Sequence, residues 1–223
     1  SVPTPFKDGH IPDLSYLQTA INNLAPVISK GNLIILESTS PVGTTERVRD
    51  WLSIARPNLA LPGDAANPDI YIAHSPERVL PGRVLLELVE NDRVIGGITP
   101  TCARKAASFY RLFVHGTCHL TDSRTAELVK LAENAYRDTN IAFANEMSLV
   151  CDELDVDIWE MLELANRHPR VNILQPGPGV GGHCIAVDPW FIADSVPEHT
   201  PLIRAARHVN DRKPLSVIEK ILS

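Results

Sequence analysis

The stretch from Gln175 to Pro189 concentrates more potential chemistry than any other part of the chain. Four of the twelve glycines (Gly177, Gly179, Gly181 and Gly182) fall within six residues and lead directly into His183 and Cys184. Glycines this dense let a backbone adopt positive φ and approach a bound group closely. Asp188 follows Cys184 by four residues. If a short helix starts at the loop exit, its N-terminus favours a thiolate and makes Cys184 nucleophilic. A surface loop ending in a buried, inert thiol is the competing reading, and composition does not separate the two. A metal site at His183, Cys184 and Asp188 is the weaker reading, because no second ligand pair stands at a metal-site spacing.

Further candidates lie upstream. Lys130, Asn134 and Arg137 fall within roughly 60° of arc on a helix of 3.6 residues per turn. Such a polar stripe usually marks a solvated face. A lysine and an amide one turn apart could equally bind an anionic oxygen, and a partly buried lysine can act as a base. Two expected strand exits carry polar groups: ESTSPVGT, holding Thr39, and HSPERVLPG, holding Glu77. Open α/β sheets bind ligands at the carboxyl ends of their strands, although Ser, Thr, Pro and Gly also fill ordinary turns. Glu77 next to Pro76 is read as a carboxylate with no capping duty. In His115-Gly116-Thr117-Cys118-His119, strand-end placement with satisfied side chains is favoured over a ligand cluster.

The elements that must position these groups alternate. Leu14, Leu17, Ile21 and Leu24 give a helical period over residues 13–28, with Asp13 or Ser15 as cap and Pro26 weakening its end. Leu33-Ile34-Ile35-Leu36 is an unbroken apolar run, expected as a strand buried on both faces. A helix follows Pro41 and ends before Pro57. Residues 69–73 and 93–96 are further strands, a helix runs from Pro100 to about Phe113, and residues 118–121 form a last short strand. This alternation is that of an α/β fold. From Ser123 to Asn166 there is neither proline nor glycine, and the apolar spacing predicts at least two long helices. Residues 202–222 read as helical, interrupted at Pro214.

Bulk properties restrict the function classes. The 223 residues carry 21 basic and 27 acidic side chains, net −6, with signs interspersed, which argues against a nucleic-acid or anionic-membrane surface. No apolar run approaches the ~20 residues of a membrane span. Cys102, Cys118, Cys151 and Cys184 show no paired spacing, so reduced thiols in a cytoplasmic setting are expected. A chain opening at Ser1 without methionine is read as a piece of something longer.

SVPTPF at the start, ESTSPVGT, SPERVLPG, ELVKLAENAYRDTNIAFANE and, above all, GPGVGGHCIAVDP resemble the UDP-glucose/GDP-mannose dehydrogenase family over essentially all 223 residues. SPERVLPG, NRHPRVNILQPGPGVGGHC and LIRAARHVNDRKP are most similar to the branch acting on UDP-N-acetyl-D-mannosamine. The resemblance implies oxidation of a UDP-sugar's C6 alcohol to a carboxylate in two steps with two NAD molecules, giving a uronic acid for cell-surface polysaccharide. It implies that Cys184 traps the aldehyde as a thiohemiacetal that becomes a thioester. It makes Lys130 the group that stabilises or exchanges protons with the reacting oxygen, and Asn134 its hydrogen-bonding neighbour. Asp188 then orients lysine and water, Glu77 assists thioester hydrolysis, and Thr39 lies beside nicotinamide and catalytic water. Thr4 falls on the cofactor side. Arg78, Val79, Arg137, His168 and Gly181 are substrate-side candidates, and Arg170 matches an arginine reaching the sugar nucleotide across a homodimer interface.

The fold so implied is the second part of a Rossmann-like, parallel-sheet NAD domain (residues 1–120), a helical dimerisation domain (121–205), and the start of a linker (206–223). The family's opening strand, GxGxxG turn and acidic ribose contact are not matched, nor is its closing nucleotide domain. The chain alone is therefore expected to bind NAD poorly and turn over little. Two rival readings remain: a sugar-nucleotide binder without covalent chemistry, and a dimerisation module built on the 123–166 helices.

Overall fold

The computed structural model describes residues 2–79 and 82–222; Leu80 and Pro81, at the end of SPERVLPG, lie outside the described residues, as do Ser1 and Ser223. The chain forms two compact units, Ser1–Lys130 and Leu131–Ser223.

The first unit is built on four strands in the order β3-β4-β5-β6: β3 Leu33–Leu36, β4 Tyr71–His74, β5 Arg93–Gly97 and β6 Cys118–Asp122. β3 pairs parallel with β4, and β5 parallel with β6, as expected of an α/β sheet. The β4–β5 pair is antiparallel, a departure from a wholly parallel sheet. Its register, Ala73 opposite Gly97, follows from the short α3 (Val84–Glu90) returning the chain to the same end of the sheet. A two-residue hairpin, β1 Phe6–Lys7 with β2 Ile11–Pro12, precedes the sheet.

Helices cover both faces. α1 (Ser15–Leu24) and α2 (Thr44–Ala55) bury Leu17, Ile21, Val48 and Leu52 against Ile70 and Ile72. On the other face α4 (Pro100–Tyr110) packs Ala106, Ala107 and Tyr110 on Ala73 and Ile95. The opposite facing of Ile72 and Ala73 is the period-two alternation of a strand. β3 is less enclosed than expected: Leu33, Ile34 and Ile35 are half-buried and only Leu36 is buried, because β3 lies at the edge of the described sheet. Neither Asp13 nor Ser15 is the cap of α1: the N-cap is Leu14, with no side-chain cap bond, and the Asp13 carboxylate instead accepts from Ser15 N–H at 2.9 Å in the turn before the helix. Gly96 is required by close approach, since a Cβ there would lie 2.3 Å from the Asp122 carbonyl oxygen and 2.6 Å from Ala126 Cβ.

α5 (Ser123–Glu153) begins in the first unit and runs on into the second, which is otherwise α6 (Ile158–Ala165), α7 (Asp188–Ser195) and α8 (Pro201–Leu222). α6 starts on an Asp157 cap that accepts from Trp159 and Glu160 N–H. α8 continues through Pro214 rather than being interrupted there. Proline removes one N–H and leaves the Asn210 carbonyl without its usual helical donor. Gly179 comes up against this point: a Cβ on it would meet Pro214 Cγ at 2.9 Å and Asn210 O at 3.6 Å. The glycine loop thus lies directly on α8 where the helical ladder has a gap.

Candidate active site

In the second unit the glycine loop is irregular, and it delivers Cys184 with its side chain exposed, together with exposed Gly181, Gly182 and His183. The Cys184 thiol is therefore not buried, in contrast to the competing reading of this loop. α7 begins four residues after the cysteine, but the Cys184 carbonyl already accepts from Val187 N–H at 3.0 Å and Asp188 N–H at 2.8 Å. Cys184 therefore occupies the turn that leads into α7, at its positive end. Asp188 opens α7, is buried, and accepts from Asn134 Nδ2 at 2.5 Å. The spacing Gly177-x-Gly179-x-x-Gly182 copies a dinucleotide fingerprint, yet it follows irregular chain rather than a strand and so lacks the βαβ setting that gives the fingerprint meaning.

The polar stripe of α5 splits. Asn134 is 4 % exposed, Lys130 is half-buried and Arg137 is exposed, so Asn134 belongs to the interior, not to a solvated face. His168 and Arg170 lie together on exposed chain after α6, where the Arg170 N–H donates to His168 Nδ1 at 3.3 Å.

In the first unit the strand exits hold the remaining candidates. The Thr39 carbonyl accepts from Thr4 Oγ1 at 3.1 Å, and the Val2 carbonyl from Ser38 Oγ at 3.1 Å, which lays residues 2–5 beside the β3 exit. Glu77 follows β4, and it is not without a local duty: its Oε1 accepts from Arg78 N–H at 2.7 Å and Val79 N–H at 2.9 Å. The carboxylate organises the turn after Pro76 with one oxygen, because two consecutive N–H groups there have no strand partner. Arg78 is exposed and donates to the Asp92 carbonyl at 3.5 Å. His115 and His119 are paired with Glu90 and Asp92, each at 3.0 Å, as strand-end placement requires. Among the described residues no cluster could hold a metal ion, all four cysteines are free, and no helix is long and apolar enough to cross a membrane.

Several buried polar residues had no place in the sequence reading. Glu127 accepts from Gly43 N–H at 2.5 Å and from Thr45 N–H and Oγ1 at 2.7 and 2.6 Å, filling the N-terminus of α2. Burial pushes its carboxyl above the usual range, against the opposing pull of those bonds. Asp138 accepts from Arg207 Nη1 at 2.6 Å, and Arg207 also meets Asp211. Burial raises the Asp138 carboxyl, opposed by Arg207 and Asn210. Asn145 links Gly177 N–H to Asn210, and Lys213 donates to Ser148 Oγ at 2.5 Å. On a 100° helical wheel Glu127, Asn134, Asp138, Asn145 and Ser148 share about 80° of α5. That regular spacing was visible in the sequence; its inward direction was not.

The chain is also similar to known proteins. Residues 1–114 match the family model for the NAD binding domain of the UDP-glucose/GDP-mannose dehydrogenase family, and residues 124–212 match its central domain. An NDP-N-acetyl-D-galactosaminuronic acid dehydrogenase of Ralstonia nicotianae is 62% identical over 222 residues, covering 99% of this chain and 52% of its own length. A UDP-N-acetyl-D-mannosamine dehydrogenase of Yersinia pestis is 59% identical over 224 residues, 99% of this chain and 53% of its own. The solved UDP-D-ManNAc dehydrogenase of Pyrococcus horikoshii superposes with a TM-score of 0.90 at 46% identity, over 98% of this chain and 51% of that one. The chain spans about half the length of the curated relatives it matches. With both family models matched in sequence order along a sheet unit and a helical unit, the chain belongs to the UDP-glucose/GDP-mannose dehydrogenase family.

Proposed function

We propose that this chain carries the covalent machinery of an NAD-dependent dehydrogenase that converts the C6 alcohol of UDP-N-acetyl-D-mannosamine to the uronic acid. The observation that carries the reading is the exposed Cys184 thiol on the turn into α7, whose first residue, Asp188, is held by buried Asn134. The relatives named above supply the substrate class, an N-acetylhexosamine nucleotide.

The aldehyde formed by the first oxidation is attacked at carbon by Cys184 Sγ, so that a C–S bond forms and the carbonyl oxygen takes a proton, giving a thiohemiacetal. Oxidation of that carbon leaves a thioester. Water adds to the thioester carbonyl, the C–S bond breaks, and carboxylate and thiol are released. Lys130 stabilises the charge that collects on the reacting oxygen, with Asn134 as its neighbour one helical turn on. Asp188 orients lysine and water, and Glu77 assists the hydrolysis, with one oxygen already spent on its own turn. Arg78, Val79, Arg137, His168 and Gly181 face the substrate in this reading.

NAD, when bound, accepts the hydride in each oxidation. The residues present fit the nicotinamide end: the β3 exit, with Thr39 tied to Thr4, lies at the carboxyl end of a parallel strand. They do not fit the pyrophosphate at α2, whose N-terminal N–H groups already hold the Glu127 carboxylate. The protein acts as a homodimer through the central helices, with Arg170 reaching the partner's sugar nucleotide. Tyr136, Phe143 and Val150 support this: they repeat at sevens along α5 and are 71%, 52% and 40% exposed. The product is a uronic acid for cell-surface polysaccharide, made in a reducing compartment in keeping with four free thiols.

The test is Cys184→Ser in a polypeptide of the relatives' full length that contains this chain. NAD reduction is followed with UDP-N-acetyl-D-mannosamine and with its galacto epimer. Uronate formation should fall by roughly a thousandfold or more, as when a covalent nucleophile is removed. Wild-type turnover in the serine variant would remove the covalent mechanism.

A further inference from the structure

The glycine loop is held from below by a chain of side-chain amides that ends on a carboxylate. Asn145 Oδ1 accepts from the Gly177 N–H at 2.8 Å, and Asn145 Nδ2 donates to Asn210 Oδ1 at 2.9 Å. Asn210 Nδ2 donates in turn to the backbone oxygen of Asp138 at 3.0 Å and to its Oδ1 at 2.8 Å. Asn145, Asn210 and Asp138 are at most 1% exposed, so water does not compete for any of these bonds.

The direction of the chain is dictated by charge. A carboxylate only accepts, so Asn210 must turn its NH2 toward Asp138 and its oxygen toward Asn145. Asn145 must then offer its own NH2 to Asn210, which leaves its oxygen facing the loop. Arg207, also buried, donates to the same Asp138 oxygen and keeps the carboxylate in place. The sequence of bonds therefore presents one acceptor to one loop N–H with no freedom to flip.

We propose that Asn145 is a positioning residue for the nucleophile-bearing loop, its oxygen anchoring Gly177 seven residues before Cys184 in an orientation imposed by Asp138 through Asn210. Gly179, pressed against Pro214, is the second point of attachment, and the carbonyl of Cys184 is the third, through its bonds to the start of α7. Between the second and third points only Val180 to His183 span without a described anchor of this kind, and that span presents the exposed glycines. Because Asn134, which holds Asp188, stands on the same helix as Asn145, α5 fixes both ends of the loop from one rigid rod. The proposal rests on the reading of Cys184 as nucleophile.

Amide hydrogen exchange of the loop, read by mass spectrometry of peptides covering residues 174–184 in the purified chain, tests it alongside thermal melting. In the wild type the Gly177 amide should be the slowest of the loop. Asn145→Ala should accelerate exchange of that peptide about tenfold, the worth of one lost hydrogen bond. Asn145→Asp keeps an acceptor toward Gly177 while setting oxygen against oxygen at Asn210. It should lower the melting temperature yet leave loop exchange within about twofold of wild type. Loop exchange that simply tracks the melting temperature in both variants overturns the proposal, as does a wild-type Gly177 amide no slower than its neighbours. Turnover surviving Cys184→Ser would remove the nucleophile reading without touching these exchange rates, so the two failures are distinguishable.

Discussion

Acidification should destabilise the first unit through the imidazole of His74. His74 ends β4, is 1% exposed, and both its ring nitrogens lack a hydrogen-bond partner among the described residues. By strand alternation it faces the layer of Ile70 and Ile72, packed under α1 and α2. Burial alone pulls its pKa from 6.5 down to about 4. The folded state therefore holds His74 neutral while the unfolded chain binds a proton below pH 6.5. Stability from this group is fully present above pH 6.5 and is lost as pH falls through the folded value of about 4. Lowering from 6.5 to about 4 corresponds to a loss of about 3 kcal/mol. The assay is urea denaturation at pH 7, 6, 5 and 4, followed by fluorescence of Trp51, which packs against the same layer. His74→Leu removes the titrating group, so the wild-type-minus-variant difference should change by about 3 kcal/mol over that range, in favour of the variant as pH falls. A difference that stays flat with pH would show that His74 is hydrated or paired in solution and refute its burial as a neutral imidazole.

Two further substitutions test other parts of the framework. Glu127→Ala strips three donors at the start of α2 of their acceptor and should destabilise the first unit by roughly 3–5 kcal/mol, whereas Glu127→Gln keeps one oxygen and should cost less than half as much; urea midpoints measure both. Gly179→Ala places a Cβ 2.9 Å from Pro214 Cγ at a backbone φ of 143°, and should cost about 1–3 kcal/mol, visible as a lower melting temperature of the second unit.

What the sequence revealed follows from how local each signal is. β3 was found with the right residues because four apolar side chains in a row have no competing pattern, and α2 because Pro41 and Pro57 bracket it. α3 escaped because its seven residues, five of them apolar, span only two turns and show no separable helical period. The β1–β2 hairpin escaped because two residues per strand are too few to show alternation; its turn is carried by Gly9 at φ 76°. Pro214 was read as an interruption because a single sequence does not show whether neighbouring chain makes up for a missing N–H. At the candidate site, composition and spacing marked Cys184 and the glycine loop and left Lys130 and Asn134 open between a solvated face and an anion site, while family resemblance chose among these and gave Asp188 its role. Glu77 shows the opposite failure: it was read as free of local duty, and it turns out to bind the two N–H groups that follow it.

The deeper limit lies in α5. Polar residues at helical spacing are compatible with water on one side or with the protein interior, and the periodicity is the same for both. What decides between them is whether partners exist, and here they arrive from far along the chain: Asp188 for Asn134, Arg207 and Asn210 for Asp138, Gly177 for Asn145, Lys213 for Ser148. An apolar stripe in those positions would pack about as stably, since buried ion pairs and amides roughly offset their own desolvation. It would also tolerate sliding by a turn. A stripe of amides and carboxylates does not, because each oxygen left facing another oxygen costs on the order of 1–3 kcal/mol. Within the second unit the buried polar row thus sets the register of α5 against α7, α8 and the glycine loop, and in this way a sulfur whose own neighbourhood is exposed and glycine-rich can be held at a defined place.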